Sequence, residues 1–147
     1  MNELENKLLL LLAAIFLISA CTPNTVVDAQ KILEYHETKY DDEPATGEIV
    51  NGVREIKIDA YQFQFEPKTI IVNKGEKIRL IVEAKDVPHG FEIEGLQIPG
   101  YDINTVIRPG MPLTLEFTVD EEGVWEFICT IYCGFGHGEM NGLFIVR

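Results

Sequence analysis

The chain has 147 residues, a formal net charge of −12 and a 46% hydrophobic composition, enough for one packed domain. That length excludes two folded domains of ordinary size. The acidic balance excludes nucleic acid as a partner, since the two surfaces would repel, and favours a basic protein instead.

Residues 8–18, LLLLLAAIFLI, form an uninterrupted apolar run of 11. A membrane-spanning helix needs about 20 such residues, so the run reads as the hydrophobic stretch of an export signal over residues 1–20. It ends in Ile18-Ser19-Ala20-Cys21, which resembles a bacterial lipobox with Cys21 as the lipidated residue. Glu3 and Glu5 oppose Lys7 where signal peptides usually carry positive charge, so an uncleaved N-terminal anchor stays open as the other reading. Cleavage before Cys21 would remove one lysine and two glutamates and change the formal charge from −12 to −11. These two readings and a third, a plain secretory signal, all put the folded part outside the cytoplasm, and a lipidated Cys21 would tether it to a membrane face.

Residues 21–52 read as a lipidated N-terminus and tether. Within it, VVDAQKILEYHETKY (26–40) has the pattern of a short amphipathic helix, and DDEPATGEIVNG (41–52) is rich in turn residues. From Val53 onward the hydrophobic period becomes two, through REIKIDAYQFQF, TIIV, KIRLIVEA, LTLEFTV, VWEFICT and GLFIV. NKGE, RPGMP and DEEG separate these runs as turns. Seven or so short strands without a convincing helix predict an all-β domain over residues 53–147, an antiparallel Greek-key β-sandwich.

The whole chain contains three cysteines, three histidines and three methionines. With Cys21 in the lipobox, Met1 as initiator and His36 in the tether, the remainder is Cys129, Cys133, His89, His137, Met111 and Met140. Four of these lie in CTIYCGFGHGEM (129–140), as Cys-x3-Cys-x3-His-x2-Met, on the loop between two expected strands. Thiolate, imidazole and thioether are the donors that copper prefers. His89, flanked by Pro88 and Gly90, is the remaining histidine of the sandwich and the candidate fourth ligand. Met111, in RPGMP, reads as a turn or core residue.

The segment from Glu55 to Arg147 resembles the CuA cupredoxin domain of cytochrome c oxidase subunit II. DVPHGF (86–91), FEPKTIIVNKGEKI (65–78) and CTIYCGFGHGEM carry the resemblance, which spans about two-thirds of the chain. It implies two copper ions bridged by Cys129 and Cys133 and capped by His89 and His137. Met140 and the Ile131 carbonyl are the implied weak outer ligands. It also implies electron transfer from a cytochrome c-like donor, with a haem-copper oxidase catalytic subunit as a candidate partner. Tyr61 and Phe63 occupy the strand where family members have aromatics that pass electrons in. The sequence departs from the family at Ile131, where many members have a glutamate that also holds magnesium, and in having a short apolar run where spanning helices are usual.

Other readings stay open on sequence alone. A mononuclear blue-copper carrier needs one cysteine, two histidines and a methionine, which His89, Cys133, His137 and Met140 would supply. Cys129 is then surplus. A periplasmic copper carrier that delivers metal to another protein is a third reading, and a Cys129–Cys133 disulfide is the purely structural one.

Overall fold

A computed structural model describes residues 39–147. The signal-like run, Cys21, His36 and all but the last two residues of the expected helix at 26–40 lie outside the described residues. Among the described residues, nine strands form two sheets: β1 (Glu48–Val50), β2 (Val53–Tyr61), β3 (Gln64–Glu66), β4 (Thr69–Val72), β5 (Lys77–Ala84), β6 (Glu92–Ile93), β7 (Leu113–Thr118), β8 (Gly123–Ile128) and β9 (Asn141–Val146). One sheet runs β1-β2-β5-β7 with β3 also paired to β2, and the other runs β4-β9-β8-β6.

Alternation in the sequence becomes a sandwich because each strand turns one face inward. In β5, Ile78, Leu80, Val82 and Ala84 are buried, while the residues between them face outward. β2 contributes Ile56, Ile58 and Ala60, and the opposite sheet answers with Ile70, Val72, Phe127, Phe144 and Val146. Phe65, Phe91 and Phe127 meet with ring centroids 5.3 to 5.8 Å apart, in a mixture of edge-on and tilted contacts.

The expected antiparallel sandwich is in fact mixed. β2 pairs with β5 in parallel and β4 pairs with β9 in parallel. Between β2 and β5 the chain crosses to the other sheet to form β4, so it re-enters its first sheet from the same end. Strand β1 is a further difference, since it forms a hairpin with β2 inside the segment read as turn-rich tether. Asn51 and Gly52 make that two-residue turn, both at positive φ, as such hairpins require.

One end of the sandwich is tied by polar contacts. Arg54 forks onto Glu76 at 2.6 and 2.8 Å, and its third nitrogen donates to the Thr46 carbonyl. Lys74 N donates to the Arg147 carbonyl, Gly75 N to that of Val119, and the Arg147 guanidinium to the carbonyls of Tyr40, Asp41 and Glu43. The opposite end collects the β2–β3 turn and the loops 85–91 and 129–140. Among the described residues no helix is long and apolar enough to cross a membrane.

The hydrogen bond from Arg54, outweighing a counteracting burial cost, pulls the Glu76 pKa from 4.5 down to about 2. A depressed folded-state pKa means the stabilisation is complete above the ordinary value and fades as pH falls toward the folded one. Glu76→Gln should therefore lower the melting temperature at pH 7. The gap to wild type should narrow between about pH 4.5 and pH 2, as measured by thermal melts across that range; a gap independent of pH would refute the pairing.

Candidate metal centre

His89 lies in the loop between β5 and β6, completely buried. Its backbone is fixed by a reciprocal pair of hydrogen bonds with Ile107, at 3.0 and 2.9 Å. Its side chain is fixed by Asp86, three residues earlier, whose carboxylate meets Nε2 at 2.8 Å. With Nε2–H committed to that carboxylate, Nδ1 presents its lone pair on the other side of the ring. That side faces the Cys129 sulfur, 3.8 Å away. Burial alone would raise the Asp86 pKa, but hydrogen bonds from His89 and from the Gln62 and Val87 N–H groups hold it below the usual carboxylate range.

Cys129 follows the last residue of β8, and its N–H donates to the Met140 carbonyl at 3.1 Å, closing the loop as a single excursion between β8 and β9. Within it, Cys133 Sγ lies 3.7 Å from His137 Nδ1 and 3.7 Å from Met140 Sδ. Cys129 Sγ lies 3.2 Å from the Ile131 carbonyl oxygen. The donor atoms of His89, Cys129 and Cys133 all fall within 4.8 Å of one another. A 3-10 turn at His137–Glu139 carries His137 to the site, and the edge of the Tyr132 ring packs against its imidazole.

The structure thus brings together His89, Cys129, Ile131, Cys133, His137 and Met140. Met111 is left out, exposed on a separate loop where it bridges to Arg108. Both cysteines are free thiols rather than a disulfide. Burial first, and the neighbouring Cys129 second, push the Cys133 pKa up to about 11, which favours the thiol form at neutral pH. Two imidazole nitrogens, a thioether and a carbonyl, each 3.2 to 3.8 Å from one or the other of two neighbouring thiols, are a set that fits copper.

Three further contributors carry little or no signal in the sequence. Asp86 orients His89, and its only signal is the i, i+3 spacing to that histidine. Gly90 allows the two loops to touch: a Cβ there would run into Thr130 Oγ1 and lie 2.9 Å from Ile131 N. Its N–H points at Cys129 Sγ at 3.5 Å. Gln62 has no sequence signal at all; its N–H donates to Asp86 Oδ2 at 2.7 Å and its side-chain amide donates to the Cys133 carbonyl. Of the two aromatics expected to pass electrons in, Phe63 lies against the backbone of Gly134 and Gly136. Tyr61 ends β2, half-buried on its outward face.

Residues 8–146 match the family model described as a cupredoxin-like domain. Subunit 2 of cytochrome c oxidase from Thermus thermophilus is 32% identical over 107 residues, a match that covers 71% of this chain and 76% of that protein. A longer version of the subunit, from a named strain of the same organism, is also 32% identical over 107 residues, and there the match covers 61% of its length. Among solved structures, the periplasmic domain of cytochrome oxidase subunit II from Bradyrhizobium japonicum superposes with a TM-score of 0.55 at 19% identity, covering 68% of this chain and 88% of that one, a likeness of fold. The chain belongs to the cupredoxin-like family, as a domain of the cytochrome c oxidase subunit II type.

Proposed function

We propose that this protein is an extracytoplasmic electron carrier with a binuclear copper centre, passing electrons from a cytochrome c-like donor to a haem-copper oxidase or a similar acceptor. The observation that carries the reading is the pairing of donors: each buried thiol has an imidazole of its own, Cys129 with His89 at 3.8 Å and Cys133 with His137 at 3.7 Å. A mononuclear centre uses one thiol and leaves the second without a purpose.

When bound, copper supplies the one-electron oxidation and reduction. The chain's residues do the rest. Cys129, Cys133, His89 and His137 would hold the copper, with Met140 and the Ile131 carbonyl as weaker donors. Because the Ile131 donor is a carbonyl, the side chain at that position is free of the site's chemistry. The buried surroundings keep water away from the sulfurs, and Asp86 holds His89 in one orientation.

The loop that carries the donors also forms the surface above them. Tyr132 and Phe135 stand exposed on it, and Glu139 is its one acidic residue. An apolar contact zone within an acidic protein fits a basic partner that is steered from a distance and desolvated on contact. Phe63, exposed and lying against Gly134 and Gly136 of the same loop, is the favoured route for electrons entering from that side.

Metal analysis and electron spin resonance test the centre itself. Wild type should bind two coppers per chain and show more hyperfine lines than one copper nucleus gives. Cys129→Ser leaves His89, Cys133, His137 and Met140, and should hold one copper with a four-line spectrum. One copper in the wild type, unchanged by Cys129→Ser, would sink the binuclear reading and leave a blue-copper carrier.

The partner reading predicts that reduction by a basic cytochrome c speeds up as salt falls, since charges are screened over about 10 Å at 0.1 M. Phe135→Ser should slow that reaction at every ionic strength in stopped-flow measurements. A salt-independent rate would leave the charge with a solubility role alone. For the membrane tether, wild type expressed in bacteria should incorporate labelled fatty acid and Cys21→Ser should not. Unlabelled wild type that retains residues 1–20 would favour the uncleaved anchor.

A further inference from the structure

The two halves of the donor set hang on separate pieces of chain. His89 belongs to the loop after β5, whereas Cys133, His137 and Met140 belong to the loop between β8 and β9. One residue outside both loops is bonded to each of them. Gln62, at the turn between β2 and β3, donates its backbone N–H to Asp86 Oδ2 at 2.7 Å, and the other oxygen of that carboxylate holds His89 Nε2 at 2.8 Å. Its side-chain Nε2 donates to the backbone carbonyl of Cys133.

We propose that Gln62 is a positioning residue that sets the spacing between the His89 half and the Cys133 half of the centre, an inference that rests on the copper reading above. Gln62 is exposed and adds nothing to the apolar core, so bulk packing does not account for its contacts. Its neighbour Phe63 presses the same loop from beside it: a Cβ on Gly136 would lie 2.5 Å from the Phe63 ring, and one on Gly134 would lie 2.9 Å from that ring and 3.0 Å from Gln62 Nε2. The turn thereby fits against bare loop backbone, and the amide of Gln62 is the polar fixture in that contact. A carbonyl on a donor-bearing residue, once pinned, restricts rotation of the peptide that carries the sulfur. Partners of this kind, one bond removed from the metal, commonly change metal affinity by about 10–100-fold.

Three variants of the full-length protein separate this role from others. Gln62→Leu removes the donor and keeps the bulk; Gln62→Glu keeps the shape and replaces the donor with an acceptor; Gln62→Lys restores a donor. All three keep the backbone N–H to Asp86. Copper-loaded samples are challenged with a copper chelator, and electron spin resonance spectra are recorded alongside thermal melts of the metal-free forms. Gln62→Leu and Gln62→Glu should lose copper about 10-fold faster than wild type and show altered hyperfine spacing, with metal-free melts close to wild type, while Gln62→Lys recovers retention and spectrum. Wild-type retention and spectrum in Gln62→Leu would overturn the proposal, as would equal impairment of all three variants. Failure of the copper reading is distinct, because wild type itself would then bind no copper.

Discussion

The structure depends on placing two thiols and a thioether inside the apolar core. Cys129, Cys133 and Met140 belong to the same buried cluster as Ile58, Leu80, Phe127 and Phe144, which holds the two sheets together. A donor placed this way cannot move without disturbing close-packed neighbours, and interiors of that density resist small displacements. Burial also opposes ionisation of the Cys133 thiol. The phenylalanine group beneath the site follows from the same constraint. Phe91 lies two residues after His89 and Phe127 two residues before Cys129, so the chain that supplies a donor also supplies the floor under it.

Charge and apolar surface are segregated along the molecule. The outer face of the five-stranded sheet is laced with ion pairs, with Arg79 reaching both Glu55 and Glu116, and Lys85 reaching Asp59 and Glu83. Exposed pairs of this kind contribute little to stability individually. Each of these cations meets two carboxylates, so an acidic excess remains on that face, while the loop over the donors carries only Glu139 as an acidic residue and is topped by aromatic rings. Acidic and aromatic surface are thereby separated on the molecule.

Much of this was legible in the sequence, for identifiable reasons. The period-two pattern of KIRLIVEA reappears as alternate burial in β5, because a half-buried strand leaves no other arrangement. The compact spacing of Cys129, Cys133, His137 and Met140 announced one loop with convergent side chains. What stayed hidden depends on partners distant in sequence. Parallel pairing of β2 with β5 is set by where the chain crosses between sheets, and alternation is silent on strand direction. Gln62 is separated from Cys133 by 71 positions and reads as an ordinary polar turn residue. Gly90 is a glycine because Thr130 and Ile131 pass close by, and nothing near it in sequence records that neighbour.

The parallel register of β4 with β9 joins Thr69–Val72 to Leu143–Val146, so one of the earlier strands waits for the last one. Long-range closures of this kind are slow to form because the chain entropy is lost before the contacts repay it. The donor loop is bounded by β8 and β9, and the Cys129–Met140 backbone bond forms only where those strands meet. Until β9 has docked, Cys129 and Cys133 therefore share no enclosed pocket. The enclosed donor cluster is therefore a late product of folding.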